Sequence, residues 1–304
     1  MSKRNRRNGK DLGKQAEAVI KSKIAVRGSN SIDTKNPGRY KELQSIRSIN
    51  DTSDALAKIA KDLGVKRIKH ITPKMAEDYL KTRRDNYASQ KSLDRERKAL
   101  SIALNTEFKR TTAIKETEMK SRSYTTGQVK TVCDHMSERN ALAAEIAYRS
   151  GLRAHELITI TRSNEGSVTE SRTWSDERFA SRTGEVYLVT GKGGLTREVL
   201  LPRDLAARLE ERRLDAPVLR RDRKVNYAQY YDIGGGQALS QSWSDASKRA
   251  LGFSNGLHGV RHSYAQERLD EVKYHYKADH ERARDIVAEE LGHFRGIITE
   301  VYLR

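Results

Sequence analysis

HGVRHSYAQERL at residues 258–269 and ERARDIVAEELGH at residues 281–293 decide how this chain reads. In the first stretch His258 and Arg261 stand three apart at the start of a helical pattern, so both lie on one face. His262, next in line to Arg261, is expected to point elsewhere. In the second stretch the helical pattern stops at Leu291-Gly292, as a C-terminal glycine should make it, and His293 follows. Tyr302 comes nine residues later. Further back, VTGKGGLTREVLLP at residues 189–202 alternates like two strands about Gly191-Lys192-Gly193-Gly194, a hairpin signal. GLRAHEL at residues 151–157 follows a helical segment that ends at Gly151.

Taken singly, these residues carry little. The chain has 13 tyrosines, so a lone tyrosine is a core or surface residue first. As an ordered set, GLRAHEL, GKGG, HGVRHSYAQERL, Leu-Gly-His293 and Tyr302 resemble the active-site boxes of the tyrosine recombinases, the phage-integrase family, over residues 150–304. The resemblance implies that Tyr302 attacks a DNA phosphate and forms a 3'-phosphotyrosine, whose ester conserves the bond energy for rejoining. Arg153 and Arg261 would clamp the non-bridging oxygens, because a guanidinium offers paired donors in a fixed fork and stays charged. Charge builds on those oxygens during in-line transfer, so a prearranged clamp favours the transition state. Glu156 takes the supporting place in the first arginine box. His258 would accept the tyrosine proton or hold the phosphate, since imidazole titrates near neutrality. His293 would donate a hydrogen bond to the phosphate, a task other members give to Trp. Lys192, at the hairpin tip, would protonate the leaving 5'-oxygen.

The fold implied is mainly α with a small β-sheet. It comprises an N-terminal helical core-binding (SAM-like) domain and an α/β tyrosine-recombinase catalytic domain, together forming a C-clamp on DNA. The function implied is site-specific cutting and rejoining of DNA, as integrase or excisionase of a phage or other mobile genetic element. A resolvase, an invertase or a topoisomerase IB-like enzyme would share the scaffold. A non-catalytic DNA-binding accessory factor is the rival of another class, against which the full set of six side chains argues. The partners implied are duplex recombination sites and a homotetramer in the synaptic complex, with accessory directionality or DNA-bending factors besides. Neither cofactor nor metal is expected: the two arginines and the lysine supply the charge that magnesium supplies in nucleases, and His275 and His280 lack convincing ligand spacing.

Composition agrees with a nucleic-acid partner. The formal charge is +18, and it is unevenly placed. Residues 1–120 hold 30 Lys and Arg against 15 Asp and Glu, a net of +15; residues 121–304 hold 29 against 26, a net of +3. A duplex rewards neutralised phosphates through counterion release, so the front third is expected to grip DNA. No apolar run approaches the roughly 20 residues a bilayer demands, and no membrane role is expected. MSKRNRRNGK lacks the apolar core of a signal peptide. The single cysteine, Cys133, excludes an internal disulfide and reads as a small buried thiol. A reducing cytoplasm, with the protein on the nucleoid, is the expected compartment.

Along the chain, residues 1–35 are expected to be a basic arm, disordered over 1–10 and helical after 11, with a turn-rich linker at GSNSIDTKNPG. Residues 36–118 are expected to form the helical core-binding domain from three helices. These are DTSDALAKIAKDLG, ITPKMAEDYLKTRRDN with Thr72 as cap and Pro73 at its first position, and SQKSLDRERKALSIALNTEF with Leu93, Leu100 and Leu104 in a stripe. Residues 119–304 are the expected catalytic domain, with a hinge near Lys120. TTGQVKTVCDHM, ERNALAAEIAYRSG, RDLAARLEERRL and SQSWSDASKRAL read as further helices. GKGG lacks the flanks of a Walker loop, and Gly234-Gly235-Gly236 reads as a turn rather than a nucleotide site. The stretches between Ile160 and Gly184 and between Leu214 and Ala238 are longer and more polar than a minimal catalytic domain requires, and RRDRKVNYAQYYDIGGG in the second is expected to be a DNA-contacting insertion. The family's tyrosine usually precedes a further segment that docks on a neighbouring protomer, whereas only Leu303 and Arg304 follow Tyr302: either the sequence stops short or the synaptic contacts use other surfaces.

Overall fold

Short polar side chains set where several helices begin. Thr72 Oγ1 accepts from the Met75 backbone N–H at 3.2 Å, and Ser89 Oγ accepts from that of Ser92 at 3.3 Å. Thr125 Oγ1 accepts from the Gln128 N–H at 3.2 Å, while the Gln128 side chain returns to the Thr125 N–H at 3.0 Å. Each bond satisfies a donor that the first turn of a helix leaves unpaired. The computed structural model describes residues 3–23, 46–86, 88–114, 121–171, 173–191, 194–223, 225–293 and 296–303. The expected linker at 28–38, the expected hinge at Lys120 and the side chain of Lys192 lie outside the described residues.

The chain divides into two compact units, Met1–Glu118 and Met119–Arg304. The first is built from α1 (Lys3–Lys23), α2 (Ile46–Asp62), α3 (Pro73–Asp85) and α4 (Gln90–Leu104). Ala16 and Ile20 of α1, Leu56, Ile59 and Ala60 of α2, Tyr79 and Leu80 of α3, and Ala99, Leu100 and Ile102 of α4 share one buried cluster. Burial of this apolar surface is the main favourable term holding the helices together. Glu96, the one buried carboxylate among the described residues of the bundle, is met by Arg83 Nε at 3.0 Å and Lys58 Nζ at 3.2 Å, so its charge is not left uncompensated.

Within the basic arm expected over residues 1–35, the helix expected after residue 11 is α1. That helix starts at Lys3, runs through Gly9 and Gly13, and belongs to the same unit as α2 to α4. The apolar positions 16 and 20 lie one turn apart and are fully enclosed, and Lys23 Nζ donates to the Ala103 carbonyl at 2.8 Å. This tertiary packing outweighs the cost of two glycines in a charged helix.

The second unit contains α5 (Thr126–Cys133), α6 (Glu138–Ser150) and a three-stranded antiparallel sheet of β1 (Thr161–Arg162), β2 (Glu185–Thr190) and β3 (Thr196–Leu201) in that order. After α7 (Arg203–Glu210) come a two-stranded hairpin of β4 (Arg213–Asp222) and β5 (Val225–Tyr231), then α8 (Gly236–Leu251), α9 (His258–Tyr276), α10 (His280–Glu290) and the short α11 (Gly296–Thr299). Leu142, Ile146, Leu157, Val189, Val199, Leu201, Trp243 and Val260 lie in its main core. Tyr264, Leu269, Val272, Ile286, Val287, Leu291 and Tyr302 form a second cluster between α9, α10 and the chain's end.

The β2–β3 register, from Glu185 opposite Leu201 to Thr190 opposite Thr196, places the hairpin where the alternation puts it. The β4–β5 hairpin was not foreseen. RDLAARLEERRL reads as one helix, but α7 stops at Glu210 and Arg213 already pairs with Tyr231 across the hairpin. Cys133 is buried, and burial, followed by the nearby carboxylates of Glu145 and Asp134, pushes its thiol up to about 12. No helix among the described residues is long and apolar enough to cross a membrane.

Candidate active site

Gly151 ends α6 in the left-handed conformation (φ 64°), and a Cβ there would stand 2.6 Å from the Tyr264 ring and 2.8 Å from Leu291. Only glycine fits this junction. The approach carries the loop after α6 against α9 and the end of α10. Arg261, in the first turn of α9, reaches across and donates to the Gly151 and Leu291 carbonyls, so one guanidinium joins three elements. It is fully buried, and its Nε finds no acceptor among the described residues. Burial and the neighbouring Arg153 pull its pKa down to about 9, with Glu156 opposing, so it remains a cation at neutral pH.

Glu156 is the anion that makes this cluster of cations tolerable. Arg197 grips it at 3.1 and 3.0 Å, Arg153 Nη1 donates to it at 2.7 Å, and Arg261 Nη1 lies 3.9 Å away. The Arg153 backbone N–H adds a bond at 2.8 Å. Burial alone would raise its pKa, but the charges of Arg197, Arg261 and Arg153 outweigh burial and hold the carboxyl well below the usual range. Gly191, at the end of the β2 strand, lies against this carboxylate: a Cβ there would stand 3.0 Å from Glu156 Oε1. The base of the hairpin that carries Lys192 in sequence is therefore at the site.

His293 closes the cluster. Its Nε2 receives Arg153 Nη2 at 2.8 Å and Arg261 Nη2 at 3.3 Å, and its Nδ1 lies 3.3 Å from Thr299 Oγ1. A guanidinium can only donate, so Nε2 is an acceptor and the ring proton sits on Nδ1. Burial, then Arg261, Arg153 and Arg197, lower its pKa to about 2, and the ring is neutral. His293 thus takes hydrogen bonds from the arginines on the edge that was expected to donate to a phosphate.

Tyr302 lies over the same cluster, 8% exposed. Its ring centroid is 5.4 Å from that of His258, 5.3 Å from His293 and 4.7 Å from His262, and Arg261 Cζ is 5.4 Å from the ring. Its backbone is pinned by its N–H to Thr299 O at 2.8 Å and by Gln266 Nε2 to its carbonyl at 3.0 Å. His258 is exposed at the mouth of the site. Crowding by surrounding protein, then Arg261, His262, Arg153 and Arg122, lower its pKa. With α9 beginning at His258, the positive end of a helix joins the cations, and an anion is the natural guest.

Five of the six expected side chains, Arg153, His258, Arg261, His293 and Tyr302, are thus brought together; Lys192 is not described. Two residues were missed. His262, expected to point away, has the nearest of the three histidine rings to Tyr302 and is buried, with an Nδ1 that has no partner among the described residues. It stands four residues after His258, and that i, i+4 spacing was the available signal. Arg197 was read only as part of a strand, yet it lies on the inward phase of β3 with Val199 and Leu201. Among the described residues no group of three or more His, Cys, Asp or Glu could hold a metal ion.

No protein-family model and no curated protein sequence matches the chain. Among solved structures it resembles XerH site-specific recombinase bound to a palindromic difH substrate in a post-cleavage complex, with a TM-score of 0.53 at 16% identity over 96% of this chain and 90% of that one. A lambda integrase dimer bound to a COC' core site gives a TM-score of 0.58 at 14% identity, covering 97% and 76% of the two chains. The Tn1549 transposon integrase in complex with a circular intermediate DNA gives 0.52 at 13% identity, covering 96% and 94%. At these identities the likeness is one of architecture, and the chain has the fold of the tyrosine recombinases.

Proposed function

We propose that this protein is a site-specific DNA recombinase that cuts and rejoins duplex DNA through a 3'-phosphotyrosine at Tyr302, as the integrase or excisionase of a phage or other mobile element. The observation that carries the reading is the convergence of Tyr302 with Arg153, Arg261, His258 and His293 at the start of one helix. The phenol oxygen attacks phosphorus, the P–O5' bond breaks, and the 5'-oxygen leaves with a proton from Lys192. Arg153, 24% exposed in its side chain, meets the phosphate first. Arg261 lies beneath and adds charge from a site shielded from water, where electrostatic stabilisation is strong. His258, its ring 5.4 Å from that of Tyr302, takes the phenolic proton once the negative charge of the bound phosphate lifts its lowered pKa. The basic first unit supplies sequence-independent grip on the flanking duplex. Duplex recombination sites, other copies of this chain in a tetramer, and the nucleoid are the corresponding partners and place of action.

Incubation with a pool of nicked suicide duplexes of randomised sequence tests the proposal. Wild-type protein is expected to form a covalent complex that survives denaturing electrophoresis, with chelator present, and Tyr302→Phe is expected to form none. An adduct that persists in Tyr302→Phe, or one that requires magnesium, would sink it.

A further inference from the structure

Arginines of the second unit are mostly matched to carboxylates. Arg139 pairs with Asp232, Arg162 with Glu210, Arg178 with Glu198, Arg182 with Glu271, Arg208 with Glu145, and Arg213 with Glu165. The pattern breaks at the end of the β4–β5 hairpin. Arg220 and Arg221 have no carboxylate partner among the described residues, and Arg223 engages Gln237, which is neutral. All three are exposed.

The hairpin itself is built to stand out while keeping a fixed place. β5 alternates, with Gln229 and Tyr231 buried, whereas β4 is exposed from Asp215 to Arg221, and Leu219 is 80% exposed. Its far end is moored. Asp222 accepts the Gln237 backbone N–H at 2.8 Å at the start of α8, and the preceding Gly236 N–H donates to the Ala154 carbonyl at 2.7 Å. Two hydrogen bonds therefore connect the neighbour of Arg221 to the neighbour of Arg153. Three cations without a carboxylate are thus held at one hairpin end that is tied to the loop of Arg153, whereas Arg122 and Arg249, elsewhere in the unit, donate to single backbone carbonyls.

We propose that the β4–β5 hairpin is a DNA-gripping ribbon, in which Arg220, Arg221 and Arg223 bind duplex phosphates flanking the one held at Arg153. The proposal rests on the reading of the protein as a DNA recombinase. A two-stranded antiparallel ribbon matches the width of a DNA groove, and arginine forks match phosphate oxygens. Ala216 to Leu219 form a short exposed apolar run, but it is four residues of one strand beside Arg220 and Arg221 rather than a broad apolar face, so a protein partner is the poorer match.

The test is the salt dependence of affinity of the full chain for a mixed-sequence duplex, compared between wild type and the triple variant Arg220→Ala/Arg221→Ala/Arg223→Ala. Each phosphate contact adds about 0.9 to the slope of log affinity against log salt, so the variant is expected to lose roughly 2 to 3 from it. The matching triple lysine variant should recover most of that loss, because it keeps the charges. An unchanged thermal midpoint will show that the exposed substitutions leave the fold intact. A wild-type slope in the folded alanine variant would overturn the ribbon while leaving the recombinase reading in place, and so would weakened tetramer assembly with unaltered DNA affinity. A wild-type protein that binds no duplex at all would overturn both.

Discussion

The ring of His262 lies 4.7 Å from that of Tyr302, closer than His258 at 5.4 Å or His293 at 5.3 Å. Burial and the charges of Arg122 and Arg261 lower its pKa to about 4, so it is neutral at physiological pH. Its contact with the nucleophile predicts a share in holding or deprotonating the phenol. His262→Asn is expected to slow single-turnover cleavage of a suicide duplex by roughly 10²-fold, within the range for a lost general base, while leaving DNA affinity intact. A cleavage rate equal to wild type would remove His262 from the chemistry.

The site was legible in the sequence where chemistry and helical geometry coincide. His258 and Arg261 share a face because they are three apart, and the glycine after α10 places His293 beside them. His262 escaped because it was judged against its neighbour Arg261 rather than against His258, one turn earlier. Arg197 and the β4–β5 hairpin escaped for a different reason. A charged residue on the inward phase of a strand has meaning only once its partner Glu156 is known, and that partner is 41 residues away. A run as polar as RRLDAPVLRRD carries no alternation to mark it as a strand, because β4 is exposed on both faces over most of its length. The helical bundle of the first unit was readable from its caps and stripes, whereas the inclusion of α1 depended on tertiary burial of Ala16 and Ile20.

Glu156 holds three guanidinium groups, so its loss should cost more than the bonds it makes. Glu156→Gln keeps the shape and removes the charge, leaving Arg197 and Arg261 buried without an anion. A destabilisation of about 3 to 5 kcal/mol is expected, the usual scale for breaking a buried ion pair from one side. Urea unfolding of the full chain measures it. A loss below about 1 kcal/mol, the value of an exposed pair, would show that the cluster is better solvated than the structure indicates.

Stability should fall on mild acidification, with a sign set by the histidines. His262 and His293 have folded pKa values near 4 and 2, below the unfolded value of about 6.5, so the unfolded chain binds more protons in between. Their contribution is complete above about pH 6.5 and is lost as pH falls below it, at up to about 1.4 kcal/mol per pH unit for each ring. Glu156, with its lowered pKa, acts in the same direction only below about pH 4.5. Thermal midpoints recorded from pH 7.5 to 5 should decline, and His262→Phe should decline less steeply than wild type. A flat profile over that range would contradict the buried, neutral state of the rings.

His293 accepts from both arginines at Nε2, which dictates the Nδ1–H tautomer. Ring-nitrogen NMR of labelled histidine should report that tautomer for the free protein. Binding of a duplex should then change it, as a phosphate takes over the Arg153 and Arg261 donors and frees Nε2 to donate. Finding the Nε2–H tautomer before DNA is added would exclude hydrogen bonds from Arg153 and Arg261 to that nitrogen.

In the proposed reaction Tyr302 becomes joined to DNA. Mass spectrometry of the covalent complex trapped on nicked suicide duplexes, digested to peptides, locates the bond. A single nucleotide-bearing peptide ending at Arg304 is expected, with the 3'-phosphate on the Tyr302 oxygen. A modified peptide carrying any other tyrosine, or a serine, would rule out Tyr302 as the nucleophile.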